Sequence, residues 1–502
     1  MGAAPVIPEP VHARPAQRPT ANLIPQEVRV MVFSSILFLL FFLPALLLLY
    51  FCVPKRFRAA RNFVLLAFSL FFYLCGGVNY MPVLLSSIAV NYLCGLLAAQ
   101  GRPRAVRRVG LWGACAFGLG MLAWFKYAGF FAENLNALGA QLPVPQIVLP
   151  IGISFFTFQG LSYVIDVYRG NAACQRNPLY VALYVALFPQ LVAGPIVRYS
   201  TVEQEITLRS ESLSQFSQGV VRFLFGLGKK MLLANVMGEI ADAAFTTPPI
   251  WLSASHAWVG AVAYTFQIYF DFSAYSDMAI GLGRMFGFHF EENFNYPYIS
   301  KSVSEFWRRW HISLSTWFRD YVYIPLGGSR CSRGRNIFNL AVVWLLTGFW
   351  HGANWTFVLW GGWFLLLLLG EKFLWGKALE RLPAPLRHVY TMLAVILSWV
   401  LFRAPDLTAA SSYLAAMFGL GAGARDGQAV YLLLEYWPEW IACVLAAMPL
   451  KGWLQDRLAG REALPAALAR EWAPKLAALA LLGLSYLKLA TGSFNPFIYF
   501  QF

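Results

Sequence analysis

Residues 302–328 read SVSEFWRRWHISLSTWFRDYVYIPLGG, and residues 347–357 read TGFWHGANWTF. They set two histidines, His311 and His351, inside an otherwise apolar, aromatic chain. Ser302 and Glu305 stand in the capping-box relation that starts a helix, and Pro325 with Gly327-Gly328 stops it. Between them Trp307, Trp310, His311, Leu314, Trp317, Phe318 and Tyr321 recur at helical spacing. One continuous helix is predicted, with His311 on its aromatic face, Trp307 one turn before it and Ser315 one turn after. Arg308, Arg309, Thr316, Arg319 and Asp320 fall largely on the other sides. Residues 301–335 carry seven Lys/Arg against Glu305 and Asp320, a balance of +5. A basic amphipathic helix of this kind lies at a membrane surface. By itself the segment reads equally well as an interfacial helix with a histidine packed among tryptophans.

The second segment changes that balance. Residues 337–370 are almost continuously apolar, and as one helix they would be roughly 50 Å long against a hydrocarbon core of about 30 Å. The run has to break, re-enter or tilt. Its small and polar residues, Gly348 to Asn354, mark the break. Non-helical backbone at membrane depth survives only against protein or a watery cavity, and an ionisable residue there is a functional candidate. His351 is therefore expected to line a cavity, the rival reading being a histidine hydrogen-bonded between helices.

Working outward, 59% of the 502 residues are hydrophobic, 17% aromatic and 13% charged, which excludes an ordinary soluble domain. The expectation is an all-α polytopic membrane protein. The net charge of +15 then points to basic loops facing anionic lipid rather than to nucleic acid, for which no motif is present. Seven cysteines without paired spacing indicate neither a disulfide framework nor a metal site. Residues 1–30, rich in Pro and Ala, read as a disordered extension, and residues 31–502 as one transmembrane domain. Spans are expected near 32–53, 62–76, 80–99, 109–132, 147–167, 179–197, 215–240 and 256–286, and again near 384–403, 430–450 and 475–489. That makes about eleven, with the broken segment between as a re-entrant piece in addition. Basic clusters at Lys55, Arg56, Arg58, Arg61 and at Arg102, Arg104, Arg107, Arg108 are separated by two spans, so both lie on the cytoplasmic side. Pro150, Gly152, Gly194-Pro195 and Gly226 suggest kinks, and residues 451–472 an interfacial connection.

Several polar residues stand inside apolar runs. Asp271 with Tyr275, and Ser273 with Asp277, form i,i+4 pairs. They either orient an imidazole or water near the cavity or pair with arginines and hold helices together. Asp166 and Arg169 read as a local ion pair, Lys126 and Tyr127 as snorkelling anchors at a span end. Asn354 either hydrogen-bonds the site or caps the break. His12, His256, His289 and His388 remain unassigned. No G-x-S-x-G elbow is present, so histidine chemistry without a serine partner is the option left for acyl transfer.

The motifs FWRRWHISLSTWFRDYVYIPLGG and GFWHGANW resemble the membrane-bound O-acyltransferase family, in its bacterial alginate O-acetylation branch. MVFSSILFLLFFLP, LPIGISFFTFQGLSYVIDVYRG, FPQLVAGPIVR, YTFQIYFDFSAYSDMAIGLG, ENFNYPYISKS and the terminal FIYFQF read like the same group in the same order, from Met31 onward. The resemblance implies a ring of helices with re-entrant and interfacial pieces around a central tunnel. It carries the family's principal catalytic histidine onto His351, as general base or transient acyl acceptor, and its second histidine onto His311. It further implies no bound cofactor and acetyl-CoA as the cytoplasmic acyl donor. Periplasmic acetyltransferase partners and an exported polysaccharide of the alginate or cellulose type would receive the acyl group, in the bacterial inner membrane. Asn354, Trp307, Trp310, Ser315, Asp271, Tyr275, Arg308 and Arg309 complete the candidate substrate-binding set, the arginines facing either CoA phosphates or lipid headgroups. The rival readings are a D-alanyl or peptidoglycan acyl-transfer variant, a proton-coupled transporter or channel relaying protons through the two histidines, and a scaffold for polysaccharide export.

Overall fold

Small residues draw the central helices together. A Cβ on Gly219 would lie 2.6 Å from the Gly281 carbonyl, and one on Gly226 2.8 Å from the Ala274 carbonyl. The helices Leu213–Gly228 and Ala254–Met285 therefore run antiparallel with their backbones nearly touching, which is how helices associate where lipid removes the hydrophobic drive. Gly226 serves this close approach, not the kink expected of it. The computed structural model describes residues 31–192, 194–450, 452–453, 464–491 and 497–498. Among them the regular structure is helical, without strands. The extension at 1–30 and half of the 451–472 connection, residues 451 and 454–463, lie outside the described residues, and residues 464–472 open the helix Leu464–Ala490.

The protein is a multi-pass membrane protein. Among the described residues, five helices are long and apolar enough to cross a membrane by length and composition: Val78–Ala98, Arg104–Ala137, Trp355–Phe373, Ala384–Arg403 and Glu471–Ala490. A sixth crossing is possible through Gly427–Glu435 and Trp437–Ala446, which meet at 67° where a single span near 430–450 was expected. The expected span at 179–197 is also interrupted. Pro178–Ala186 ends at Leu187, and Pro189 opens a one-turn helix Phe188–Leu191.

The basic clusters share one face. Asn62 Nδ2 donates to the Ile206 carbonyl at 2.7 Å, Ser200 Oγ to Asp166 at 3.1 Å, and Arg107 to the Tyr168 carbonyl at 2.5 Å. These bonds stitch the ends of several helices into a single basic rim. Within it Glu211 is buried against Tyr50, whose hydroxyl donates to it at 2.5 Å, and against Arg58 and Arg61. Burial pushes its carboxyl up, but the Arg58 and Tyr50 hydrogen bonds and the two guanidinium charges outweigh this and hold it at about 2. That stability is complete above the unfolded carboxylate value of about 4.3 and is lost as pH falls toward 2. Glu211→Gln is expected to destabilise the protein by about 3 kcal/mol, because it strands buried guanidinium groups. A thermal melt in detergent reads the effect.

Aromatic packing forms two large clusters. One gathers Phe33, Phe38, Phe42, Phe72, Phe188 and Trp350. The other gathers Phe306, Trp307, Trp310, Trp360, Trp399 and Phe402. The two histidines lie where these clusters meet.

Candidate active site

The apolar run at 337–370 breaks where its small residues fall. Arg333–His351 ends on His351, Gly352 is extended, and Asn354 opens Trp355–Phe373 by accepting from Thr356 N at 3.1 Å. The two helices fold back as an antiparallel hairpin. A Cβ on Gly348 would lie 2.5 Å from the Phe357 carbonyl, and one on Gly361 2.5 Å from the Trp344 carbonyl. Each arm is about 28 Å long, so the run that was too long for one crossing becomes two helices, of which Trp355–Phe373 is apolar enough to cross.

The end of the first arm is capped by another helix. Lys126 Nζ donates to the carbonyls of Trp350 at 2.5 Å and His351 at 3.2 Å, and Tyr127 to that of Phe349 at 2.5 Å. These are carbonyls a helix C-terminus leaves unpaired, and a cation is favoured there. Lys126 and Tyr127 are thus capping residues, not the snorkelling anchors expected. They reach the helix end from a π-helical turn, Ala123–Tyr127, which shifts the register of their own helix. At 1.5 Å per residue, Lys126 lies roughly 33 Å from Arg104, toward the face opposite the basic rim.

His351 is buried and stands in the wall of two cavities. One, of about 20 Å³, is lined by Phe272, Trp310, Trp360, Trp399 and Phe402, together with Ile268, Asp271 and Ile498. The other, of about 100 Å³, is lined by Lys126, the 149–155 segment, Val192 and Trp350. An imidazole so placed can exchange a proton with groups arriving from either side.

His311 lines neither cavity but packs beside His351 on Trp350, by a route that helical periodicity conceals. The predicted single helix is two, Val303–Arg309 and Ile312–Phe318, followed by a π-helical turn Arg319–Tyr323. Trp310 is extended and His311 left-handed at φ 44°. This conformation costs a non-glycine residue about 1–2 kcal/mol. The loop before it supplies the compensating bonds: Asn295 N donates to the Arg309 carbonyl and Ile312 N to the Asn293 carbonyl, both at 2.9 Å. The capping box holds in part. Ser302 Oγ accepts from Glu305 N at 3.0 Å, while Glu305 accepts from Lys301 N at 2.9 Å. Both imidazoles pack on Trp350, with ring centroids at 5.9 Å for His311 and 4.9 Å for His351.

Of the other candidates, Trp310 and Asp271 line the aromatic cavity. Asp271 pairs with buried Lys230 at 2.6 Å and accepts from the backbone N–H of Ile498 at 2.8 Å, so its carboxylate is engaged structurally. Lys229, its neighbour in the π-helical turn Lys229–Ala234, pairs with Asp277 at 2.6 Å. Trp307 packs on Trp344 and Phe364 and lines neither cavity. Tyr275 stacks on Phe33 at 4.4 Å, away from both cavities. Ser315 meets His311 through its backbone N–H, at 3.1 Å from the His311 carbonyl. Asn354 caps its helix and donates to the Pro405 carbonyl at 2.7 Å, which makes it a hairpin-tip residue. Arg309 pairs with Glu305 at 2.9 Å, and Arg308 is exposed. Asp166 accepts from Ser200 and Tyr321 rather than pairing with Arg169, whose guanidinium donates to the Asp320 carbonyl at 3.0 Å. Sequence reasoning missed Asn293 and the capping role of Lys126. Neither has a local signal, because both act across the fold.

The model of the membrane-bound O-acyltransferase (MBOAT) family matches residues 175–410. A probable alginate O-acetylase of Azotobacter vinelandii is 41% identical over 505 residues, covering 94% of this chain and all of its own length. Its counterpart in Pseudomonas aeruginosa is 40% identical with the same coverage. A peptidoglycan O-acetyltransferase of Helicobacter pylori is 33% identical, covering 95% of this chain and 98% of its own length. Likeness at this level along nearly the whole chain means that the protein belongs to the membrane-bound O-acyltransferase family and is an O-acyltransferase.

Proposed function

We propose that the protein takes acetyl from acetyl-CoA at its basic, cytoplasmic face and passes it across the bacterial inner membrane to hydroxyls of an exported polysaccharide of the alginate type. Periplasmic partner proteins complete the delivery. The observation that carries this reading is the position of His351 in the wall of two cavities, one aromatic and one more polar. The names of the relatives support acetyl as the acyl group and alginate as the acceptor.

In this reading His351 removes the proton of the acceptor hydroxyl as its oxygen attacks the thioester carbonyl. The tetrahedral intermediate then expels the CoA thiolate, which recovers the proton and leaves as thiol. His311 orients the donor or polarises its carbonyl. Trp310 and Trp360 wall the aromatic side and exclude water from it.

Donor choice is the direct test. Purified protein in liposomes, supplied with acetyl-CoA, is expected to release free CoA when an acceptor is present. A D-alanyl thioester on a carrier protein is expected to give no turnover. Turnover with that carrier alone would move the protein to the teichoic-acid variant of the reaction.

The Lys126 cap yields a second expectation. Lys126→Met leaves the Trp350 and His351 carbonyls without their charged donor. CoA release is expected to fall roughly 10- to 100-fold, as a shift of about 1 Å in a reacting group costs. Lys126→Arg should recover part of the rate. Full activity in Lys126→Met would mean that the cap does not position His351.

A further inference from the structure

His311 occupies a left-handed backbone conformation, and one side chain fixes both that turn and the ring upon it. Asn293 Oδ1 lies 3.2 Å from Ser313 N, 2.9 Å from Ser313 Oγ and 3.2 Å from His311 Nδ1. A backbone N–H can only donate, so the Asn293 atom facing Ser313 N must be the carbonyl oxygen and not the amide nitrogen. Two further bonds agree with that polarity. Asn293 Nδ2 donates to Ser276 Oγ at 3.1 Å. Ser313 Oγ accepts from Ile196 N at 3.1 Å, which leaves its own proton for Asn293. An acceptor oxygen opposite Nδ1 requires Nδ1 to carry the ring proton, and Nε2 is then the basic nitrogen. The Asn293 backbone carbonyl meanwhile holds Ile312 N, and Asn295 N holds the Arg309 carbonyl, so the same short segment brackets His311 on both sides.

We infer that Asn293 is a positioning residue for acyl transfer, locking His311 as the Nδ1–H tautomer so that Nε2 is the nitrogen that engages the reacting groups. The inference rests on the proposed part of His311 in the reaction. A neutral amide suits this task better than a carboxylate. It fixes the tautomer without supplying a negative charge that would favour imidazolium.

The test compares four proteins in the liposome CoA-release assay across a pH series, with folding checked by thermal melting: wild type, Asn293→Ala, Asn293→Asp and His311→Ala. Asn293→Ala removes the acceptor, and its rate is expected to fall about 100-fold. Asn293→Asp keeps an acceptor oxygen and loses the donor to Ser276. It is expected to retain more activity than the alanine variant, with the acid limb of its rate profile moved to higher pH, because the carboxylate holds a proton on the ring. The described groups packed around that ring are Phe272, Phe294, Trp350, the Ser313 hydroxyl and, beyond Trp350, His351. Position 293 is thus the one the aspartate changes.

Wild-type rate and profile in Asn293→Ala alongside an inactive His311→Ala would overturn the inference while leaving the role of His311 intact. An active His311→Ala would overturn the reading beneath it. Should Asn293→Ala fail to fold, the Asn293→Asp profile decides: a shifted acid limb supports the inference, an unmoved one overturns it.

Discussion

Replacement of His351 by alanine is expected to lower acyl transfer about 10³- to 10⁴-fold while the protein stays folded. A positioned general base contributes roughly 10²- to 10⁴-fold to such a reaction, and the upper part of that range applies where no other base serves. Apart from His311, which the proposed reaction assigns to the donor, the described ionisable groups near His351 are already committed. Asp271 is paired with Lys230 at 2.6 Å, and Lys126 holds the helix-end carbonyls. Truncation at 351 also removes a side chain that lines both cavities, which is expected to let water reach the donor. CoA release in liposomes, together with a melting curve, measures both consequences. His351→Gln fills the space without a base, and it should be nearly as inactive as the alanine variant. A rate within a few-fold of wild type in either variant would remove His351 from the chemistry.

The second large effect is expected at Gly348, a residue that touches no substrate. A Cβ there would lie 2.5 Å from the Phe357 carbonyl and 3.3 Å from its carbon, both backbone atoms of the opposite hairpin arm. Backbone cannot rotate aside, so Gly348→Ala must spread the hairpin. Overpacking of this kind costs about 1–3 kcal/mol. His351 lies one turn beyond Gly348 on the same arm and moves with it. Roughly 100-fold loss of transfer is expected from a displacement of about 1 Å. Gly362, on the other arm, has open space where a Cβ would go, and Gly362→Ala should leave both melting temperature and rate close to wild type. Equal behaviour of the two variants would show that close approach of the arms does not position the histidine.

The part of this architecture that can be read from sequence is the part governed by local chemistry. The break at Gly348–Asn354 is visible because an apolar run too long for the bilayer contains small and polar residues at one place. The capping signal at Ser302 and Glu305 is likewise local, and the structure retains its main bond. What failed was continuity. Residues 302–323 carry one helical periodicity, yet the chain turns through a left-handed residue at His311, because Asn293 and Asn295 supply backbone bonds that the helix would otherwise make. Periodicity cannot register a partner some eighteen positions upstream. Lys126 was misread for the same reason: a lysine near a span end looks like an anchor until the carbonyls of another helix are found beside it. Asp271 and Asp277 were rightly seen as interior carboxylates, and Asp277 does pair with an arginine, Arg222 at 2.6 Å, but their lysine partners Lys230 and Lys229 lie on a different helix. Those lysines reach them through a π-helical turn that propensity does not reveal.

In the proposed reaction acetyl crosses the protein at His351, entering from the basic face and leaving from the other. Sidedness tests it most directly. Liposomes of one orientation, fixed by a protease-accessible tag, would carry acetyl-CoA labelled in the acetyl group only on the basic side and a polysaccharide acceptor with its partner proteins only on the opposite side. The account predicts free CoA on the basic side and labelled polymer on the other, with both lost in His351→Ala. Labelling that occurs only when donor and acceptor share a side would contradict it.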